Sequence, residues 1–157
     1  MKIRPAVPAD DDTIWAMLEP VFRAGETYAL DPEISRPDAL AYWTGGTHAA
    51  YLAEAETALG TYYLCPNQGG GGAHVANAGF VSAVPRRGVA HMMLDHALAT
   101  ARDEGFRAMQ FNFVVATNTR ALALWASAGF REVGRLPGAF CHPAAGFVDA
   151  LVLWRDL

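Results

Sequence analysis

The segment Phe80-Val81-Ser82-Ala83-Val84-Pro85-Arg86-Arg87-Gly88-Val89-Ala90 carries the clearest chemistry in this sequence. An extended run ends there in a basic turn, and a helix begins at once. The first amides of a helix have no partner inside it, and the helix dipole places partial positive charge at the same end. Gly88 and Ala90 are small enough to let an anion approach the backbone, and Arg86 and Arg87 add countercharge. The turn therefore suits a phosphate or pyrophosphate. The plain alternative is close packing, because a Gly-x-Ala entering a helix can serve that purpose alone.

Other reactive side chains form no recognisable set. Cys65 and Cys141 lie far apart with no Cys-x-x-Cys pair, which predicts free thiols and neither a disulfide framework nor a zinc knuckle. Neither has a histidine partner in a known motif, so a covalent thiol route has little support. His48, His74, His91, His96 and His142 lack metal-ligand spacing; His91 and His96 stand five residues apart and not on one helix face, so no metal is expected.

Hydropathy spacing predicts the elements that position the turn. Asp10, Asp11 and Asp12 precede an apolar pattern at Ile14, Met17, Leu18, Val21 and Phe22, giving a helix over 10–23 with acids at its positive end and Pro20 expected to kink or shorten it. A short helix over 37–43 follows, stopped by Gly45-Gly46. Strand-like stretches occupy 49–53, 58–64 and 74–81, with a glycine-rich hairpin connection over 66–72 that lacks the Gly-Lys-Ser/Thr ending of a P-loop. A long helix spans 89–104, closed by Gly105-Phe106, and a strand over 108–115 alternates Met109, Phe111, Phe113 and Val115 on one face. Thr117 or Asn118 caps a further helix that ends at Gly129-Phe130. Strands over 132–135 and 147–154 close the chain, separated by a Pro-, Gly- and His-containing loop over 136–146.

The 157 residues are the size of one domain over 1–157. Twelve Lys and Arg against 16 Asp and Glu give a net charge of −4, opposite to the basic footprint of a nucleic-acid binder, so DNA and RNA are excluded as expected partners. No apolar run of about 18 residues occurs, and the start lacks the features of a signal peptide. The expectation is a soluble, cytoplasmic protein with no membrane partner.

The order strand, Arg-Gly-Val-Ala turn, long helix, strand and then Asn118-Thr119-Arg120-Ala121-Leu122-Ala123-Leu124-Trp125-Ala126-Ser127-Ala128-Gly129-Phe130 resembles the GNAT superfamily of acyl-CoA N-acyltransferases. The likeness covers nearly the whole chain and is strongest over 74–130. In that family the turn resembles Arg/Gln-x-x-Gly-x-Gly/Ala; Gly88 and Ala90 match the last two small positions, whereas Pro85 occupies the first. The later motif resembles Asn-x-x-Ala-x-x-x-Tyr-x-x-x-Gly-Phe, with Asn118, Ala121, Gly129 and Phe130 in place and Trp125 where tyrosine is common.

This resemblance implies an α/β (α+β) fold with a mixed, mostly antiparallel central sheet flanked by helices, and a V-shaped splay between two central parallel strands. It implies acetyl-CoA as acyl donor, with its pyrophosphate at Arg86, Arg87, Gly88, Val89 and Ala90, its pantetheine along Phe80, Val81 and Ser82, and Asn118 near the thioester. Trp125 stands either beside the cofactor or in the core; an indole cannot replace the family's phenol as proton donor to the departing thiolate. The acceptor would be a small primary amine attacking directly, and the segment Gly25-Glu26-Thr27-Tyr28 weakly resembles the phosphinothricin and methionine sulfoximine branch, which points to an amino-acid-like molecule. A peptide or protein N-terminus is the runner-up, and a non-catalytic acyl-CoA sensor a further alternative. An attacking amine must lose a proton, and Glu26, in the family's acceptor wall, and His74, the only titratable group on the strand before the turn, are the candidate bases. Their plain alternatives are a solvated loop acid and a partly exposed histidine at a strand start. Glu54 and Glu56 read as hairpin surface charges, and His142 is a distant third candidate. The resemblance is compatible with a homodimer.

Overall fold

A computed structural model of the protein describes residues 1–84 and 88–157. Among these, seven strands form one sheet: β1 (Lys2–Pro5), β2 (Ala49–Glu54), β3 (Ala58–Pro66), β4 (Val75–Ser82), β5 (Ala108–Val115), β6 (Arg131–His142) and β7 (Gly146–Asp156). Their order is β1-β2-β3-β4-β5-β7-β6, and every pairing is antiparallel except that of β4 with β5. Four helices cover the sheet: α1 (Asp11–Ala24), α2 (Arg36–Thr44), α3 (Val89–Asp103) and α4 (Thr119–Ser127). The mixed, mostly antiparallel sheet and its one parallel pair are as expected.

Alternation along β3 sorts the two faces. Tyr62 and Leu64 join the core beneath α3 and α4, while Tyr63 and Cys65 join the core beneath α1 and α2. This strand is thus buried on both sides, which explains its nearly unbroken apolar run.

Helix ends follow local chemistry. The Ser35 hydroxyl accepts the Asp38 amide at the start of α2, and Asn118 Oδ1 accepts the Ala121 amide at the start of α4. At the other ends of α3 and α4, Gly105 and Gly129 take positive φ, and the amides of Phe106 and Phe130 return to the carbonyls of Ala101 and Trp125 at 2.9 and 3.0 Å. The α1 helix continues through Pro20, whose missing amide proton falls on an exposed face.

Two features depart from the sequence reading. The expected loop over 136–146 is largely strand: β6 runs to His142 and pairs with β7 to their shared turn, with a register shift between Leu136 and Phe140 that accommodates Pro137 and Gly138. Proline is tolerated there because β6 is the edge strand and needs no ladder bond on its outer side. The short strand β1 had no hydropathy signal; Arg4 secures it by pairing with Asp10 at 2.8 Å and Glu54 at 3.1 Å.

Candidate functional site

The parallel pair holds register at only two positions, Val75 with Ala108 and Ala76 with Met109. Beyond them β4 and β5 part, and the sheet opens into a wedge. Trp125 of α4 lies over the opening, its ring 5.2 Å from Phe80 of β4 and 4.8 Å from Phe111 of β5 between centroids. One buried side chain therefore bridges two strands that no longer hydrogen-bond.

Two clefts enter this wedge from opposite sides. The first, about 780 Å³, is bounded at its mouth by Gly88, Val89, Ala90 and His91 at the start of α3, with Arg120 on α4 across from them. Gly88 takes φ +70°, and no side chain caps α3 among the described residues. The helix thus presents its amino end to the cleft, the arrangement that favours an anion. The second cleft, about 510 Å³, is lined by Val21, Tyr28, Leu30, Tyr42, Tyr63 and Asn77 among others. Both clefts share Phe80, Ser82, Asn118, Ala121 and Trp125, so they meet at the parting of the strands.

The structure brings most of the predicted binding residues together. Phe80, Ser82, Asn118 and Trp125 stand at the junction, and Gly88, Val89 and Ala90 line the first cleft. Val81 faces the second cleft and the core beneath α1. Trp125 belongs to the core, one of its two readings, and also lines both clefts. Arg86 and Arg87 lie outside the described residues.

The two candidate bases lie elsewhere. Glu26 is exposed and lines neither cleft, although its neighbours Thr27 and Tyr28 line the second. His74 is exposed immediately before β4, at the closed end of the strand pair, and lines neither cleft. Glu54 is paired to Lys2 and Arg4, and the His142 ring accepts the amides of Ala144 and Ala145 in the β6–β7 turn.

Three tyrosines from separate elements define the second cleft. The Tyr28 phenol donates to the Phe80 carbonyl at 3.0 Å, on the part of β4 that β5 does not pair. The Tyr42 and Tyr63 hydroxyls share a 3.2 Å hydrogen bond. Tyr63 is further fixed by stacking on His48 at 4.0 Å and by the edge of Trp43 at 4.9 Å. Burial pushes the Tyr28 and Tyr63 phenols far above their ordinary range, so both remain protonated donors at neutral pH. Sequence reading named Tyr28 only within the segment Gly25-Glu26-Thr27-Tyr28 and missed Tyr42 and Tyr63, because the three lie far apart in the chain and meet only in the fold.

The described lining of the second cleft contains no carboxylate, imidazole or cationic side chain. Burial raises the Cys65 thiol to about 11, which leaves it unionised and a poor nucleophile. Among the described residues no cluster of His, Cys, Asp and Glu could hold a metal ion, and no helix is long and apolar enough to cross a membrane.

The family model for the acetyltransferase (GNAT) family matches residues 12–130. A GCN5-related N-acetyltransferase from Kribbella flavida is 41% identical, with a TM-score of 0.93 over 99% of this chain and 97% of that one. The N-acetyltransferase aca1 of Schizosaccharomyces pombe is 33% identical in an alignment of 102 residues that covers 60% of this chain and 46% of that protein, so the match spans less than half of the relative's length. A phosphinothricin acetyltransferase from Sinorhizobium meliloti in complex with acetyl-CoA shares the fold at 17% identity, with a TM-score of 0.86 over 99% of this chain and 88% of that one.

Proposed function

The chain belongs to the acetyltransferase (GNAT) family, and on that premise we propose that it moves an acetyl group from acetyl-CoA to a primary amine by direct attack. The observation that carries this reading is the meeting of two clefts at Phe80, Ser82, Asn118, Ala121 and Trp125. A donor in the first cleft and an acceptor in the second would meet there, at the parting of β4 and β5.

The pyrophosphate of acetyl-CoA would sit against the amides at the start of α3, with Gly88 keeping the approach open and His91 and Arg120 on the cleft wall. Pantetheine would then run between Phe80 and Ser82 on one side and Asn118 and Ala121 on the other. Trp125 would close the channel beneath the thioester as an apolar wall, contributing no proton.

In the transfer, the nitrogen lone pair attacks the thioester carbonyl carbon, and the carbon–sulfur bond breaks as the tetrahedral adduct collapses. The nitrogen gives up one proton and the departing thiolate takes one up, so the balanced products are an amide and a thiol. With no base among the described residues lining the second cleft, we infer that the acceptor arrives as the neutral amine and that its proton leaves through water. Holding both reactants in register supplies the main rate advantage of such a site.

The test is release of free coenzyme A thiol that requires protein, acetyl-CoA and an amine together. A cleft with no charged side chain among its described residues also suits a second reading, an acyl-CoA-binding module without turnover. Tight acetyl-CoA binding with no thiol release from any amine would select that reading instead.

A further inference from the structure

We propose that the acceptor is a monoamine on an apolar or aromatic body, carrying neither a carboxylate nor a second cation; this rests on the acetyl-transfer reading above. The choice follows from what surrounds the second cleft. Tyr28, Tyr42 and Tyr63 supply aromatic surface, Val21 and Leu30 supply aliphatic surface, and Asn77 supplies a neutral amide.

An amino acid bound here would bring its carboxylate into a cleft with no cationic side chain among the described residues. Loss of hydration without a countercharge opposes that placement strongly. A polyamine meets the same difficulty with the sign reversed, because no carboxylate lines the cleft to hold its second ammonium. A single amine is different. Arriving as the neutral base it brings no charge into the cleft, and its apolar body lies against the aromatic and aliphatic lining.

The tyrosine wall is also held by its own contacts. The Tyr42–Tyr63 hydroxyl pair and the stacking of Tyr63 on His48 fix its geometry before any ligand arrives. A flat, apolar body can therefore be buried with little further ordering.

The experiment compares kcat/KM for phenethylamine, phenylalaninamide, phenylalanine, spermidine and an alanyl peptide, using the intact protein and saturating acetyl-CoA. The first three share one ring and differ in what accompanies the amine. With each rate referred to the fraction of amine that is unprotonated at the assay pH, the expected order is phenethylamine above phenylalaninamide above phenylalanine, with about a hundredfold between the ends for one unpaired buried charge. Spermidine and the peptide should fall well below phenethylamine. Phenylalanine, spermidine or the peptide equalling or exceeding phenethylamine would overturn the acceptor class while leaving acetyl transfer intact. Absence of thiol release with every amine would overturn both.

Discussion

The Tyr63 ring occupies the space that a side chain at Gly79 would need: a β-carbon built there would clash with Tyr63 Cε1. The two residues are directly paired across β3 and β4, and both line the second cleft. Gly79→Ala should therefore push the ring out of its place between strand and cleft. Such overpacking costs roughly 1–3 kcal/mol, and here it should fall on the acceptor, with KM for the amine rising about tenfold. Acetyl-CoA affinity by calorimetry should stay within about twofold, because Tyr63 does not line the first cleft. Equal losses for both substrates would remove Tyr63 from the acceptor wall.

Gly88 makes a different demand. A β-carbon there would meet nothing within 4 Å among the described residues, so its requirement lies in the φ of +70° and in what must approach the helix end. Gly88→Ala should cost roughly 1–2 kcal/mol of backbone strain yet leave measurable acetyl-CoA binding. Gly88→Glu adds bulk and negative charge at the proposed anion site and should abolish binding. Calorimetry showing near-normal affinity for the glutamate variant would refute the placement of the pyrophosphate.

With no base among the described residues lining the second cleft, the pH dependence of kcat/KM should belong to the substrate. Two amines whose pKa values differ by about two units should show acid limbs displaced by about two units. Glu26→Gln and His74→Ala should both keep rates within about threefold of the parent protein. A fall of about 10²–10⁴ in either variant, with loss of the acid limb, would install that residue as the base.

Stability should carry its own pH signature from the β1 edge. Hydrogen bonds from the Arg4 guanidinium, then from the Val7 amide, lower the Asp10 carboxyl to about 2. A carboxyl depressed on folding contributes stability above its unfolded pKa and loses that contribution as pH falls through the folded value. The thermal midpoint should therefore decline from about pH 4 toward pH 2. Asp10→Asn should lower the midpoint at pH 7 and flatten the acid decline. An acid profile identical to the parent's would show that this pair does not govern it.

Local chemistry made the second half of the fold legible from sequence. The three-and-four spacing of Val89, Met92, Met93, Ala97 and Ala101 and the Gly-Phe ends of α3 and α4 arise from neighbours in the chain and were found where expected. The alternation in β5, by contrast, is broken by a register shift between Phe111 and Val114 that packs Val114, not Phe113, against the core with Met109 and Phe111. The β1 strand was illegible because its partners are remote: Glu54 lies 50 residues from Arg4. The continuation of β6 was hidden because proline and glycine read as a loop until the strand is known to lie at a sheet edge. The site divides in the same way. The turn at Gly88 and the cap at Asn118 announce themselves locally, whereas the Tyr28, Tyr42 and Tyr63 wall exists only once three elements have packed. The segment after α1, expected to form the acceptor wall, lines the second cleft through Thr27 and Tyr28, with Glu26 left exposed.

The claim on which the account turns is that donor and acceptor occupy the two clefts together and react where these meet at Trp125. Initial rates over a grid of acetyl-CoA and phenethylamine concentrations test it most directly. Direct transfer within a ternary complex predicts double-reciprocal lines that intersect, with no burst of thiol release when the amine is omitted. Parallel lines accompanied by such a burst would contradict it, since they would mean that acetyl reaches the protein before the amine arrives.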